Sequence, residues 1–217
     1  MKNFKKVIFA LMVVFLVVGF IGCKTETDPK DSPAPVNNFI GTWMMDDLST
    51  RCVITKDAFT TYVEGVGEFP GTYTLNKDNK SAVAKFTSGG GEEQTVDMAL
   101  LEGETDVAEM DLSSFGLGES IFVKYREGEF DIVGTWSDGT LNIVITNEGY
   151  TVTAVADPTN TVSEGTVSKE GNTFTLVENE SSDEVSTGVL STNGKVYCNY
   201  SDPISGDCIS APFTKSN

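Results

Sequence analysis

Two pairs of adjacent carboxylates are the residues best suited to acid and base chemistry in this sequence. Asp46-Asp47 and Glu92-Glu93 carry the groups that glycoside hydrolysis uses. Neighbouring residues on a strand point to opposite faces, so neither pair is expected to act on one substrate. The chain has no histidine, which excludes Ser-His-Asp triads, Cys-His pairs and histidine-based zinc sites. We therefore expect no enzymatic activity, no metal site and no cofactor.

Four cysteines are the remaining reactive residues. Cys23 directly follows an apolar N-terminal segment, and the others are Cys52, Cys198 and Cys208. Cys198 and Cys208 fall on consecutive predicted strands, so they are candidates for a disulfide that would stabilise the hairpin by about 2–3 kcal/mol. Cys52 is then unpaired, and we expect it to pack as a small buried apolar residue.

The N-terminus has the order of an export signal. Three lysines, Lys2, Lys5 and Lys6, precede an uncharged run over residues 7–22. A membrane-spanning helix is the alternative, since about 17–25 apolar residues cross a bilayer. We interpret residues 1–22 as a signal peptide that is removed.

The tetrad Phe20-Ile21-Gly22-Cys23 resembles the lipobox of bacterial lipoproteins. In that family the cysteine receives diacylglyceryl and becomes the new N-terminus after cleavage. The resemblance implies that fatty acyl chains such as palmitate on Cys23 hold the protein on a membrane, at about 0.8 kcal/mol per buried CH₂. Lys24 stands where an inner-membrane retention rule favours Asp, so the resemblance implies an outer-membrane address in the cell envelope, on either face.

The segment after Cys23 is rich in proline, charge and small polar groups, and it lacks large apolar residues. Such a segment buries too little surface to fold, so residues 23–38 are interpreted as the lipidated cysteine and a flexible tether. Removal of the leader leaves 12 basic and 32 acidic residues, a net charge of −20. Nucleic acid and anionic membrane surfaces are therefore poor partners. High charge of one sign is typical of solubility, and a cationic ligand is the alternative.

The rest of the chain is an internal repeat with an offset of 93 residues at its start. Gly41-Thr42-Trp43 is echoed by Gly134-Thr135-Trp136. We predict two copies of one unit, at residues 39–128 and 129–217. The further matches, in the same order, are 53–55 with 144–146, 59–62 with 150–153, and 71–73 with 165–167.

Each copy is predicted to contain eight short strands. Apolar or β-branched residues alternate with polar ones, and turn signals such as Asn193-Gly194 recur about every eight to twelve residues. Hairpin connections imply antiparallel order, and closing eight strands into a barrel removes the exposed edges. The predicted fold is all-β, with two tandem eight-stranded antiparallel meander barrels. A single larger barrel or sandwich that pools the strands of both copies is the alternative.

With Gly-x-Trp on the first strand of each copy, the chain resembles the lipocalin-like (calycin-like) families of bacterial lipoproteins. In those families the Trp packs at one barrel end under a basic side chain from the last strand. The resemblance implies that Trp43 lies against Lys124 or Arg126, and that Trp136 lies against Lys215, as cation–π pairs. The alternative is that each Trp is only a core anchor.

These features predict a non-enzymatic, lipid-anchored envelope protein that acts as a binding module. It would bind a small ligand at a barrel mouth, or a protein or glycan partner along the loops or between the two units. Side chains nearly fill an eight-stranded barrel, so no large hydrophobic cargo cavity is expected. The alternative is a structural or adhesive surface protein that recognises another protein without a pocket.

Overall fold

The computed structural model describes residues 37–88, 90–179, 184–201 and 208–216. The side chains of residues 184–185, 200–201 and 208–211 fall outside this description. The predicted signal peptide, Cys23 and nearly all of the tether also lie outside the described residues. Among the residues that are described, no helix is long and apolar enough to cross a membrane.

The first repeat forms a closed antiparallel barrel of eight strands. Each strand pairs with its successor, and Trp43 on the first strand lies opposite Lys124 on the eighth, which closes the barrel. A 3-10 turn, Ser113–Phe115, precedes the eighth strand. The strands are β1 (Gly41–Met45), β2 (Thr50–Ile54), β3 (Phe59–Val63), β4 (Gly67–Leu75), β5 (Ser81–Thr87), β6 (Glu93–Leu100), β7 (Val107–Asp111) and β8 (Glu119–Lys124).

The second repeat forms a second closed barrel with the same order of strands. Here Trp136 on the first strand lies opposite Lys215 on the last. The strands are β9 (Gly134–Ser137), β10 (Leu141–Ile145), β11 (Tyr150–Ala154), β12 (Asp157–Glu170), β13 (Thr173–Glu178), β14 (Glu184–Leu190), β15 (Lys195–Ser201) and β16 (Cys208–Ser216).

Two separate closed barrels confirm the predicted fold class, and the pooled single barrel is wrong. The prediction succeeded because burial alternates along the strands, as in β2 and β10, where every second residue is buried. Large side chains occupy the interior of both barrels. They include Trp43, Phe59, Phe86, Met98, Met110 and Phe122 in the first, and Trp136, Ile143, Tyr150, Phe174, Leu176 and Phe213 in the second.

Candidate functional site

Both tryptophans are buried at the start of their barrels with their polar atoms satisfied. Trp43 is fully buried, and its Nε1 donates to the Phe39 carbonyl oxygen at 2.7 Å. Trp136 is 3% exposed, and its Nε1 donates to Ile132 O at 2.8 Å. Neither indole presents an open face or a free N–H to a ligand, so both act as core anchors.

A lysine from the last strand covers each indole. Lys124 Nζ lies 5.0 Å from the Trp43 ring centroid, and Lys215 Nζ lies 5.5 Å from that of Trp136. A Cβ at Gly134 would lie 2.6 Å from Lys215 Cε, and the φ of this residue is +141°. Glycine therefore precedes the Trp by two positions because the lysine stem crosses the backbone there.

Arg126 is not brought to Trp43. Its guanidinium carbon lies 4.6 Å from the Phe130 ring centroid, and its Nη2 donates to Leu190 O in the second repeat at 2.6 Å. Strand β8 ends at Lys124, so Arg126 belongs to the connection between the barrels. It joins the two repeats instead of covering an indole.

The predicted bridge between Cys198 and Cys208 is not formed, because Cys198 is a free, buried thiol. Strand pairing places Cys198 opposite Ala211 and Cys208 opposite Ser201. The two cysteines are thus three positions out of register, roughly 10 Å along the strand at about 3.3 Å per residue, and a disulfide needs Cα atoms within about 7 Å. The Cys208 side chain lies outside the described residues.

Cys52 is buried in the first barrel, as predicted, and Cys198 is likewise buried in the second. Burial raises the pKa of each thiol to about 12, opposed by a hydrogen bond between Cys52 and Thr61 and by one between Cys198 and Ser186. A thiol that stays protonated is a poor nucleophile and a poor redox centre. Both cysteines therefore pack as small apolar residues.

These thiols predict a loss of stability at alkaline pH. The pKa of each is raised by folding above its unfolded value of about 8.5, so the folded state keeps protons that the unfolded state releases. The contribution of these protonated thiols to the free energy of unfolding is complete below about pH 8.5 and is lost as the pH rises toward 12. We expect urea unfolding near pH 10.5 to show a Cys198→Ala variant losing about 2–3 kcal/mol less, relative to pH 8, than the wild type. Equal losses in both proteins would contradict this.

The predicted acidic pairs do not form a cleft. Asp46 is buried, Asp47 Oδ1 accepts the Ser49 N–H in the turn after β1, and Glu92 is exposed. Glu93 forms an exposed ion pair with Lys85 at 2.8 Å. Neither pair has the facing geometry that glycoside hydrolysis requires.

Other carboxylates border a shallow depression of about 250 Å³ on the outer face of β5 to β7. Asp111 is among them, and hydrogen bonds from Ser113, first from its side chain and then from its backbone, lower the pKa of its carboxyl. A general acid needs a raised pKa, so Asp111 is unsuited to that role. Among the described residues, no group of three or more His, Cys, Asp or Glu side chains could hold a metal ion.

An apolar contact joins the outer faces of the two barrels. Val107 and Val123 point away from the first barrel, and Val189 and Tyr197 point away from the second, yet at most 5% of each is exposed. These four side chains form one cluster, which we call the interface cluster. The described residues of the two barrels accordingly belong to one compact unit.

Buried polar contacts fix this interface at its edges. Asn172 is fully buried, and its Oδ1 accepts the Arg126 N–H at 2.7 Å, while its Nδ2 donates to Lys124 O at 3.0 Å and to Leu190 O at 2.7 Å. At another point, Thr187 Oγ1 donates to Asp46 O at 2.7 Å. Directional bonds of this kind restrict the two barrels to one arrangement.

A further set of polar contacts joins the loop before β7 to the turn before β15. Asp106 Oδ2 accepts the Thr192 N–H at 2.6 Å. Glu104 Oε1 accepts from Asn193 Nδ2 and forms an ion pair with Lys195 Nζ at 3.3 Å. The side chain of Glu104 is only 9% exposed, so this ion pair is partly shielded from water.

A groove lies beside these contacts, between the two repeats. Its volume is about 360 Å³, within the lower range of pockets that bind small molecules. Both repeats contribute apolar and charged side chains to it. We call it the inter-repeat groove, and its lining residues are Leu101, Glu102, Glu104, Ile121, Lys195, Tyr197 and Pro212.

Burial raises the pKa of the Tyr197 hydroxyl to about 12, and the nearby carboxylates of Glu104 and Asp106 add to the rise. Tyr197 therefore stays neutral at physiological pH. Its ring and its hydroxyl give the groove one wall that is apolar along its length and polar at its tip.

Sequence reasoning named the space between the two units as one location for a partner, but it did not identify the residues of the groove or of the interface, although a signal was present. Positions 121–123 read Ile-Phe-Val, three consecutive apolar residues on one strand, which is typical of burial on both faces. The matching positions of the second repeat, 212–214, read Pro-Phe-Thr. The inward-facing Phe is kept, but its two neighbours on the strand are proline and threonine instead of isoleucine and valine. Comparing the repeats position by position would have marked β8 as the buried side.

No protein-family model matches the sequence, and a search of the curated proteins gives no match.

Proposed function

We propose that the protein is a non-enzymatic, lipid-anchored lipoprotein of the bacterial outer membrane that binds a small ligand, or a short segment of an envelope partner, in the inter-repeat groove. The observation that carries the binding site is the contrast between the barrel interiors and this groove. Large side chains fill both interiors, whereas the groove offers about 360 Å³ at the surface. This contrast favours a binding site between the units over one inside a barrel.

The anchor part of the proposal is supported by the export signal and by the lipobox resemblance around Cys23. Metabolic labelling with a palmitate analogue is expected to label the wild-type protein and leave it in the membrane fraction. A Cys23→Ala variant is expected to lose the label. A soluble, unlabelled wild-type protein with residues 1–22 intact would contradict the anchor.

The groove can be tested with three small probes of one shape, 2-phenylethylamine, 2-phenylethanol and phenylacetate. We expect at least one to shift the NMR signals of groove residues. Pro212 is exposed on the groove wall, so Pro212→Trp is expected to block that probe. Thr214→Trp, which lies two residues further along the same strand and outside the groove lining, serves as the matched control. Signals that move only inside a barrel would place binding elsewhere.

The alternative, adhesion without a pocket, is favoured by one observation. Val66 is 66% exposed and Leu117 is 40% exposed. Because β3 and β7 run in the same direction, the loops after them lie at one end of the first barrel. If these residues contact a partner protein, Val66→Ser with Leu117→Ser should abolish adhesion of the protein to bacterial cell surfaces, while Pro212→Trp should leave it unchanged.

A further inference from the structure

The inter-repeat groove carries more negative than positive charge. Glu102 is exposed at its rim, and among the described residues it has no hydrogen bond or ion pair. Glu104 is engaged through one oxygen only, because both Asn193 and Lys195 reach Oε1. Its Oε2 has no partner among the described residues. The groove therefore keeps unused carboxylate oxygens beside an accessible volume.

A third carboxylate, that of Asp106, adds to the negative charge near the groove. Asp106 is 4% exposed, and its Oδ1 has no hydrogen-bond partner among the described residues. Among the described residues, the cations that interact with these three carboxylates are Lys195, on Glu104, and Lys124, whose pKa is lowered by burial and raised by the attraction of Asp106. Three carboxylates thus face two ammonium groups. The net charge of −17 for the whole chain has the same sign and favours the approach of cations.

Apolar surface accompanies this charge. Leu101 and Ile121 come from the first repeat, and the Tyr197 ring and Pro212 come from the second. A strongly hydrated metal ion would gain nothing from these groups, whereas an organic cation with an apolar body would desolvate against them.

We propose that the inter-repeat groove binds an organic cation, an ammonium group on a short apolar body. The ammonium lies against Glu102 and the free oxygen of Glu104, and the apolar body covers Leu101, Ile121 and Pro212. The ammonium of Lys195, already on Glu104, shows that this carboxylate accepts such a group. This inference rests on the proposed function of the groove and adds the chemical class of its ligand.

The test uses the chain from residue 23 onward, with Cys23→Ser to remove the lipid, and the same three probes. We expect 2-phenylethylamine to bind at least about tenfold more tightly than 2-phenylethanol, and phenylacetate to bind least, since a charge-assisted hydrogen bond is worth about a factor of ten or more. Binding is measured from the concentration dependence of the NMR shifts of groove residues.

Three variants separate charge from shape. Glu104→Gln and Glu102→Gln each keep the side-chain volume and are expected to weaken the amine about tenfold without affecting 2-phenylethanol. Glu148→Gln, an exposed glutamate in the turn after β10, is the matched control and should leave both probes unchanged. The backbone NMR spectrum of each variant shows whether it is folded, and Glu102, being exposed, keeps the test available if Glu104→Gln unfolds.

The outcomes distinguish this inference from the proposed function. Equal binding of the amine and the alcohol, or preferred binding of phenylacetate, would contradict the proposal that the ligand is an organic cation. The groove would still be a binding site. If none of the three probes shifts a groove residue, both the ligand class and the groove are overturned.

Discussion

Replacing Asn172 with alanine is expected to lower the free energy of unfolding by about 2–5 kcal/mol. The Asn172 side chain lies at the interface, fully buried, and bonds to backbone groups of both repeats. Without it, the Arg126 N–H and the Lys124 carbonyl lose these bonds in a place that water does not reach. Each buried polar group left unpaired costs about 1–3 kcal/mol. Urea unfolding followed by circular dichroism measures the loss.

Two further variants sharpen this prediction. Asn172→Asp retains the acceptor for Arg126 but replaces the donor with a carboxylate oxygen facing two carbonyl oxygens, so it should destabilise at least as much as alanine. Asn160→Ala, on an exposed position of β12, is the control and should stay within about 0.5 kcal/mol of the wild type. An Asn172→Ala protein as stable as this control would mean that the bonds across the interface contribute little.

The second large effect comes from exchanging interface residues between the repeats. Val189 pairs with Tyr197 in the second barrel, and the equivalent pair in the first barrel is Ala99 with Glu109. The double change Val189→Ala with Tyr197→Glu removes apolar contact and places a carboxylate in the interface cluster. A buried, unpaired charge of this kind costs several kcal/mol. We expect a loss above about 4 kcal/mol, or separation of the barrels with each remaining closed.

The reverse exchange is the matched control. Ala99 is exposed and Glu109 is partly exposed, so Ala99→Val with Glu109→Tyr should change stability by no more than about 0.5 kcal/mol. The same residue types thus produce a large effect on one barrel and almost none on the other. Equal effects of the two exchanges would show that the outer face of β14 and β15 is not covered by the first repeat.

The strands and the two barrels could be predicted from the sequence because one face of each strand is buried and the period of two is visible. Leu141, Ile143 and Ile145 alternate with polar or smaller neighbours, and all three are buried inside the second barrel. The repeat of Gly-x-Trp gave the position of both first strands. Local pattern was sufficient here because each barrel closes on strands that are neighbours in the chain.

The disulfide prediction was wrong because the two cysteines are out of register on their paired strands. Cys198 and Cys208 do lie on paired strands, β15 and β16. The pattern of residues identifies the strands but does not fix which residues face each other across a hairpin, and an offset of three positions separates the two cysteines. Register is set by turn geometry as well as by burial, and the connection over residues 202–207 is longer than the two-residue turns whose type fixes the register of a hairpin.

The groove could not be read from one strand at a time. Tyr197 and Val189 alternate correctly with inward residues, so each has the pattern of an ordinary outward position. Their burial depends on the first barrel, whose covering face, with Val107 and Val123, lies 66 to 90 positions earlier in the sequence. Only the difference between the two repeats at matching positions contains that information. In other tandem barrels, the positions at which the two repeats carry different residue types are the ones to examine first.

Native-state hydrogen exchange tests most directly whether the two barrels form one unit. The amides of Phe122 and Cys198, one inside each barrel, are expected to exchange with free energies of opening within about 1 kcal/mol of each other, and both should fall together in Asn172→Ala. If the Cys198 amide opens several kcal/mol more easily than that of Phe122, and Asn172→Ala leaves both unchanged, the barrels are independent and the groove between them is not a fixed site.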